Sequence, residues 1–154
     1  MSLDIVATSA TDPRARTMMN QLSERLAWIT GDDGRSHFQI DQAPATAGSI
    51  FLLALQGDAP VGCGALRALD LPVAGRVGEI KRMYAASGGR GIGEALLAAL
   101  ATHGRNFDYR VVRLATRTVN AGAVRFYLRH GFEICDNYGV YENRADVVCF
   151  EKTL

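Results

Sequence analysis

Ser87-Gly88-Gly89-Arg90-Gly91-Ile92-Gly93 lies between a stretch that alternates like a strand and one that repeats like a helix. Glycines let successive backbone N–H groups converge, and a helix N-terminus adds about half a positive charge, so this turn can hold a diphosphate without any lysine. A nucleotide-like ligand is suggested. The turn is not a Walker loop, because Glu94 stands where lysine would follow Gly93, and its spacing is not G-x-G-x-x-G. Taken alone it also reads as a plain strand-to-helix connection. Other reactive residue types are sparse. Cys63, Cys135 and Cys149 are odd in number and lack C-x-x-C spacing, which argues against a disulfide framework or zinc knuckle and for a reduced, cytoplasmic setting. Cys63 and Cys149 fall in apolar runs as small core residues, and Cys135 has no base nearby in sequence. His37, His103 and His130 share no ligand spacing, so no metal is expected.

The elements that would position this turn follow from periodicity. A chain of 154 residues, 48% hydrophobic, suits one domain spanning 1–154. Asp12-Pro13 reads as a helix start, followed by Ala15, Met18, Met19, Leu22, Leu26 and Ile29 at helical spacing. Gly31 to Gly48 is an irregular segment anchored by Phe38 and Ile40. Ile50 to Leu55 and Val61 to Leu69 form a hairpin about Gly57-Asp58. Val77 to Ala86 alternates, with Val77, Glu79, Lys81 and Met83 on one face and Gly78, Ile80, Arg82 and Tyr84 on the other. A helix from Ile92 stops at Gly104, Val111 to Thr116 is a strand, and Ala121 to His130 is a helix closed by a left-handed Gly131. Phe132 to Tyr141 and Val147 to Lys152 are two final strands. The order implies a mixed α/β sheet with helices on its faces. A net charge of +1 provides no global field for nucleic acid or anionic membrane, and no run reaches membrane-spanning length or resembles a signal peptide.

Glu79-Ile80-Lys81-Arg82-Met83-Tyr84 before the turn and Gly91-Ile92-Gly93-Glu94-Ala95-Leu96-Leu97 after it closely resemble the acetyl-CoA motif of the GNAT superfamily of N-acetyltransferases. Asn120-Ala121-Gly122-Ala123-Val124-Arg125-Phe126-Tyr127, then Gly131-Phe132, is similar to that superfamily's downstream N-x-x-A-x-x-x-Y-x-x-x-G-F signature. The resemblance implies a mostly antiparallel central sheet, splayed at the cofactor site, with acetyl-CoA as co-substrate. Met83, Tyr84 and Ala85 would hold pantetheine through their backbones. The turn from Gly88 through Gly89, Arg90, Gly91, Ile92 and Gly93 to Glu94 would take the diphosphate, and Asn120, Ala123 and Tyr127 would flank the arm. One departure is visible: Gly88 stands where the superfamily usually has Arg or Gln, which leaves Arg90 as the side chain able to substitute.

The same resemblance assigns chemistry. A main-chain N–H near Met83 or Tyr84 would polarise the thioester carbonyl. Glu79 matches the position of a catalytic glutamate, a general base for the incoming amine; a residue pairing with Lys81 on the same strand face is the alternative. A lysine-like amine is mostly charged at neutral pH, a deficit of roughly 4 to 5 kcal/mol, whereas an α-amino group lies only about one pKa unit away. Tyr127 matches the tyrosine that protonates the departing thiolate, with simple packing against the sheet as the alternative. Asn120 could also cap its helix.

A non-catalytic acyl-CoA binding or sensing module of the same fold stays open, motivated by Gly88. A nucleotide-binding protein of other chemistry is disfavoured by the missing phosphate-binding lysine. The acceptor, a small-molecule or peptide amine, is not identified by the sequence; its groove would lie near Trp28, Phe38, Tyr138 and Tyr141. A homodimer is consistent with the resemblance.

Overall fold

A computed structural model describes residues 2–32, 48–71, 75–88 and 90–154. Most of the segment from Gly31 to Gly48, with Phe38 and Ile40, and the glycine at 89 therefore lie outside the described residues. The order is β1 (Leu3–Thr8), α1 (Pro13–Thr30), β2 (Ile50–Gln56), β3 (Ala59–Leu69), β4 (Val77–Ala85), α2 (Ile92–Asn106), β5 (Val111–Arg117), α3 (Ala121–Arg129), β6 (Glu133–Cys135) and β7 (Val147–Thr153). The strands form one seven-stranded sheet in the order β1-β2-β3-β4-β5-β7-β6. β4 and β5 pair in parallel and the other neighbours are antiparallel. This is the mixed sheet expected from the sequence.

The helices obey their local signals. The Asp12 carboxylate accepts from the Arg14 N–H, Pro13 occupies the first turn, and the left-handed Gly31 closes α1. β2 is buried on both faces from Phe51 to Leu55, which suits a central strand covered by helices on each side. On one face Phe51, Leu53, Cys63, Ala65 and Tyr84 pack with Ala15, Met18 and Leu22 of α1. On the other, Leu52, Leu66, Ile80, Leu114 and Phe150 join Ile92, Leu96 and Leu100 of α2 and Tyr127 of α3. A smaller cluster gathers Tyr138, Tyr141, Val147 and Cys149.

Several expectations are revised. β1, which the sequence pattern did not mark, is an edge strand along β2, with Leu3, Ile5, Val6 and Thr8 half-buried and Asp4 and Ala7 exposed. α2 runs through Gly104 to Asn106; a Cβ on Gly104 would come 2.7 Å from Leu154, so close packing, rather than helix termination, explains that glycine. Phe132 to Tyr141 yields only the three-residue β6, followed by a 3-10 turn at Gly139–Tyr141.

The most consequential difference is in β4. The pairing with β3 runs Leu66↔Ile80 and Ala65↔Lys81, then resumes at Cys63↔Tyr84, so Arg82 and Met83 oppose Gly64 alone. This is a β-bulge, with Arg82 at φ +57. One extra residue reverses the side-chain alternation downstream. Ile80 therefore faces α2 and Tyr84 faces α1, although simple alternation puts both on one side.

Gly62 sits opposite the bulge's far end, where a Cβ would lie 2.7 Å from the Tyr84 carbonyl oxygen and 2.7 Å from Ile92. Backbone cannot yield as a side-chain tip does, so Gly62→Ala is expected to destabilise the fold by about 1 to 3 kcal/mol, read as a lowered urea midpoint. An unchanged midpoint would show that the end of β4 gives way freely.

Candidate active site

β4 and β5 pair only from Val77↔Val111 to Glu79↔Arg113. Beyond this, β5 continues along β7 as far as Arg117↔Val147 and β4 continues along β3 as far as Ala85↔Gly62. The facing edges of both strands thus leave the ladder, and their N–H and C=O groups are available to something other than a strand. Two cavities occupy the divergence.

The larger has a volume of about 790 Å³. Met83, Tyr84 and Ala85 line it from β4, and Asn120, Ala123 and Tyr127 line it from α3 and its cap. Gly88, Arg90, Gly91, Ile92, Gly93 and Glu94 line it from the turn and the first residues of α2. One space therefore collects every proposed cofactor residue that the structure describes. Gly91 adopts φ +75 and precedes α2 with no side-chain cap, and no atom lies within 4 Å of where a Cβ would sit on Gly88 or Gly91. The N-terminal amides of α2 consequently have no competing side chain. Asn120 accepts from the Ala123 N–H at 3.3 Å as the cap of α3.

Arg25, Arg129 and His130 also line this cavity, and the sequence reading missed them. Arg25 donates to the Ala85 carbonyl at 3.1 Å and lies over the Tyr84 ring at 4.5 Å. The available signal was its place one helical turn after the buried Leu22 on α1, where Arg25 itself stays exposed.

The smaller cavity, about 180 Å³, is lined by Lys81, Arg82 and Met83 of β4, Leu114 to Arg117 of β5, and Tyr141, Arg144 and Asp32. Lys81 donates to the Tyr141 hydroxyl at 2.6 Å. Desolvation, partly offset by the Glu79 charge, holds the Lys81 ammonium below its ordinary pKa. Burial pushes the Tyr141 phenol up to about 12. Of the expected acceptor-groove aromatics, Tyr141 is here. Trp28 is 90% exposed and lines neither cavity, Tyr138 is buried against Glu79, and Phe38 is outside the described residues.

Tyr127 lines both cavities at 7% exposure, packed among Phe126, Phe132 and Phe150. Burial raises its phenol well above the usual range. Glu79 is placed differently. It is 1% exposed and lines neither cavity. Its Oε1 accepts from Arg67 Nε and Nη2 at 3.0 and 2.9 Å, and Oε2 accepts from the Tyr138 hydroxyl at 2.7 Å. The expected alternative partner, Lys81, is not the one it uses. Arg67 is its register partner across β3, a pairing that strand spacing alone could not reveal. Cys63, buried, has its thiol pushed up to about 12, which makes it a poor nucleophile. Among the described residues no group of His, Cys, Asp or Glu could hold a metal, and no helix is long and apolar enough to cross a membrane.

A sequence profile of the acetyltransferase (GNAT) family matches residues 16–132, well over half of the chain. The chain belongs to the GNAT family. A crystal structure from Klebsiella pneumoniae, assigned as an acyl-CoA N-acyltransferase, superposes with a TM-score of 0.81 at 28% identity over 99% of this chain and 97% of that one. The PaiA N-acetyltransferase of Thermoplasma acidophilum, solved in complex with coenzyme A, gives 0.73 at 18% identity over 100% of both chains. A GNAT acetyltransferase from Elizabethkingia anophelis with acetyl-CoA bound gives 0.70 at 21%, over 99% and 98%. No curated protein matches the chain significantly in sequence.

The Glu79 contacts set an energetic expectation. Glu79→Gln removes the charge that Arg67 and Tyr138 address, and loss of charge-assisted hydrogen bonds in a buried site costs about 1 to 3 kcal/mol. Urea denaturation should show that loss, and unchanged stability would mean that the network carries no net energy.

Proposed function

We propose that this GNAT protein transfers an acetyl group from acetyl-CoA to the primary amine of a small molecule by direct attack, with both substrates bound at once. The observation that carries the reading is that Met83, Asn120, Ala123 and Tyr127 line both cavities, so a molecule in each would meet at these residues. Acetyl-CoA supplies an activated thioester; the chain supplies position and polarity.

The turn from Gly88 to Gly93 and the open N-terminus of α2 suit the diphosphate, with Arg90, Arg25 and Arg129 as nearby cations. Arg90 lines the same cavity as Gly88, which supports its replacing the Arg or Gln usual at that position. The bulge at Arg82 and Met83 breaks the ladder next to the meeting point, so a main-chain N–H of Met83 or Tyr84 is the candidate donor to the thioester carbonyl. Tyr127 is the candidate proton donor to the leaving thiolate. Its raised pKa keeps it protonated as pH rises through the physiological range, and its protonated form is lost only above its ordinary titration range.

The contacts of Glu79 support a positioning role over the general-base role that the resemblance implies. With three hydrogen bonds accepted and neither cavity touched, it serves as a positioning residue that fixes Arg67 and Tyr138 and lends negative charge near Lys81. Glu79→Gln should therefore lower kcat without moving the acid limb of the pH profile; a shift of that limb would restore the base role. Tyr127→Phe should reduce kcat roughly 100-fold while leaving the Kd for CoA unchanged by calorimetry. Full turnover in that variant would assign Tyr127 to packing alone. Free-thiol release from acetyl-CoA across a panel of amines tests the whole reading, since a sensing module of this fold would bind CoA without acceptor-dependent release.

A further inference from the structure

The smaller cavity has an unbalanced charge lining. Among the described residues, Lys81, Arg82, Arg117 and Arg144 face it, against the single carboxylate of Asp32. Two neighbouring carboxylates cancel this only in part. Glu79 is engaged by Arg67 and Tyr138 and does not reach the cavity. Asp146 binds Arg144 through two hydrogen bonds, at 3.1 and 2.9 Å, and reaches only one terminal nitrogen of Arg117, at 3.2 Å. The buried Nε of Arg117 has no hydrogen-bond partner. Lys81 makes its hydrogen bond to an uncharged phenol, which leaves its remaining N–H groups and its charge without a counter-ion among the described residues.

A buried guanidinium N–H and an ammonium without an anion both favour an acceptor that brings one. The volume, about 180 Å³, is room for about six waters, which admits a small molecule rather than a folded partner. Resting on the acetyl-transfer reading above, we infer that the acceptor is an amino-acid-like amine whose carboxylate is held between Lys81 on β4 and Arg117 on β5. The two cations stand on the two strands that part, so the carboxylate would bridge the divergence and turn the amine towards Met83 and Tyr127. The same positive lining disfavours the ammonium form of the acceptor and favours the neutral amine that attacks, which lessens the need for a carboxylate base. A polyamine or other purely cationic acceptor would be repelled.

The test compares each of a set of free amino acids with its carboxamide and with its decarboxylated amine, following thiol release from acetyl-CoA, with CoA binding measured in parallel. The expected result is a kcat/KM for amino acids roughly 10- to 100-fold above that for both neutralised analogues, the scale of a lost charged hydrogen bond. Lys81→Met and Arg117→Gln should each raise KM for the amino acid far more than they lower kcat, and shrink its advantage over the carboxamide. Equal or better turnover of the carboxamide or the decarboxylated amine overturns the carboxylate assignment while leaving acetyl transfer intact. CoA binding with no release for any acceptor overturns both. If a variant does not fold, the wild-type comparison decides alone.

Discussion

The structure depends on one constraint, the short parallel pairing of β4 and β5. Three residue pairs join the strands before they diverge, and each then keeps its outer neighbour, β3 or β7. A sheet interior that stops pairing leaves backbone polar groups that must find other partners, and a cavity lined by such groups is the natural outcome. The core tolerates the gap because α1 covers one face and α2 and α3 the other, each with its own apolar cluster. The opening is therefore framed by packed elements on both faces, which suits the proposed binding of two substrates.

The bulge at Arg82 lets a single strand serve both faces of this opening. Before it, Glu79 and Lys81 point towards Tyr138 and Tyr141; after it, Met83 joins the α2 side and Tyr84 the α1 side. The strand thereby carries charged side chains at the smaller cavity and backbone plus apolar contacts at the larger one. Glu79 belongs to the first group, but it accepts from Arg67 and Tyr138 and lines neither cavity. Its negative charge still acts at a distance, opposing the desolvation that lowers the pKa of Lys81.

The cations divide in the same way. Arg25, Arg90 and Arg129 line the larger cavity, whereas Lys81, Arg82, Arg117 and Arg144 line the smaller. A chain with a net charge of +1 has thus gathered positive residues locally around two spaces, and bulk charge conceals this. Local fields of this kind act where water is excluded and screening is weak.

What the sequence determined by itself is what short-range physics encodes. The Asp12-Pro13 start of α1, the left-handed Gly131, the apolar repeats of α1 and α2, and the turn at Gly88 to Gly93 follow from local backbone preferences and periodicity. These sufficed for the fold class, and the resemblance of two contiguous motifs supplied the proposed cofactor-side residues. Tertiary structure decided what depends on register and strand divergence. The bulge that reverses the β4 faces, the pairing of Glu79 with Arg67 across twelve residues, the edge strand β1, and the placing of Lys81 and Arg117 on one cavity have no local signature. A one-residue slip moves every following side chain to the opposite face, and only the completed sheet, with helices burying both sides, determines which register has the lowest energy.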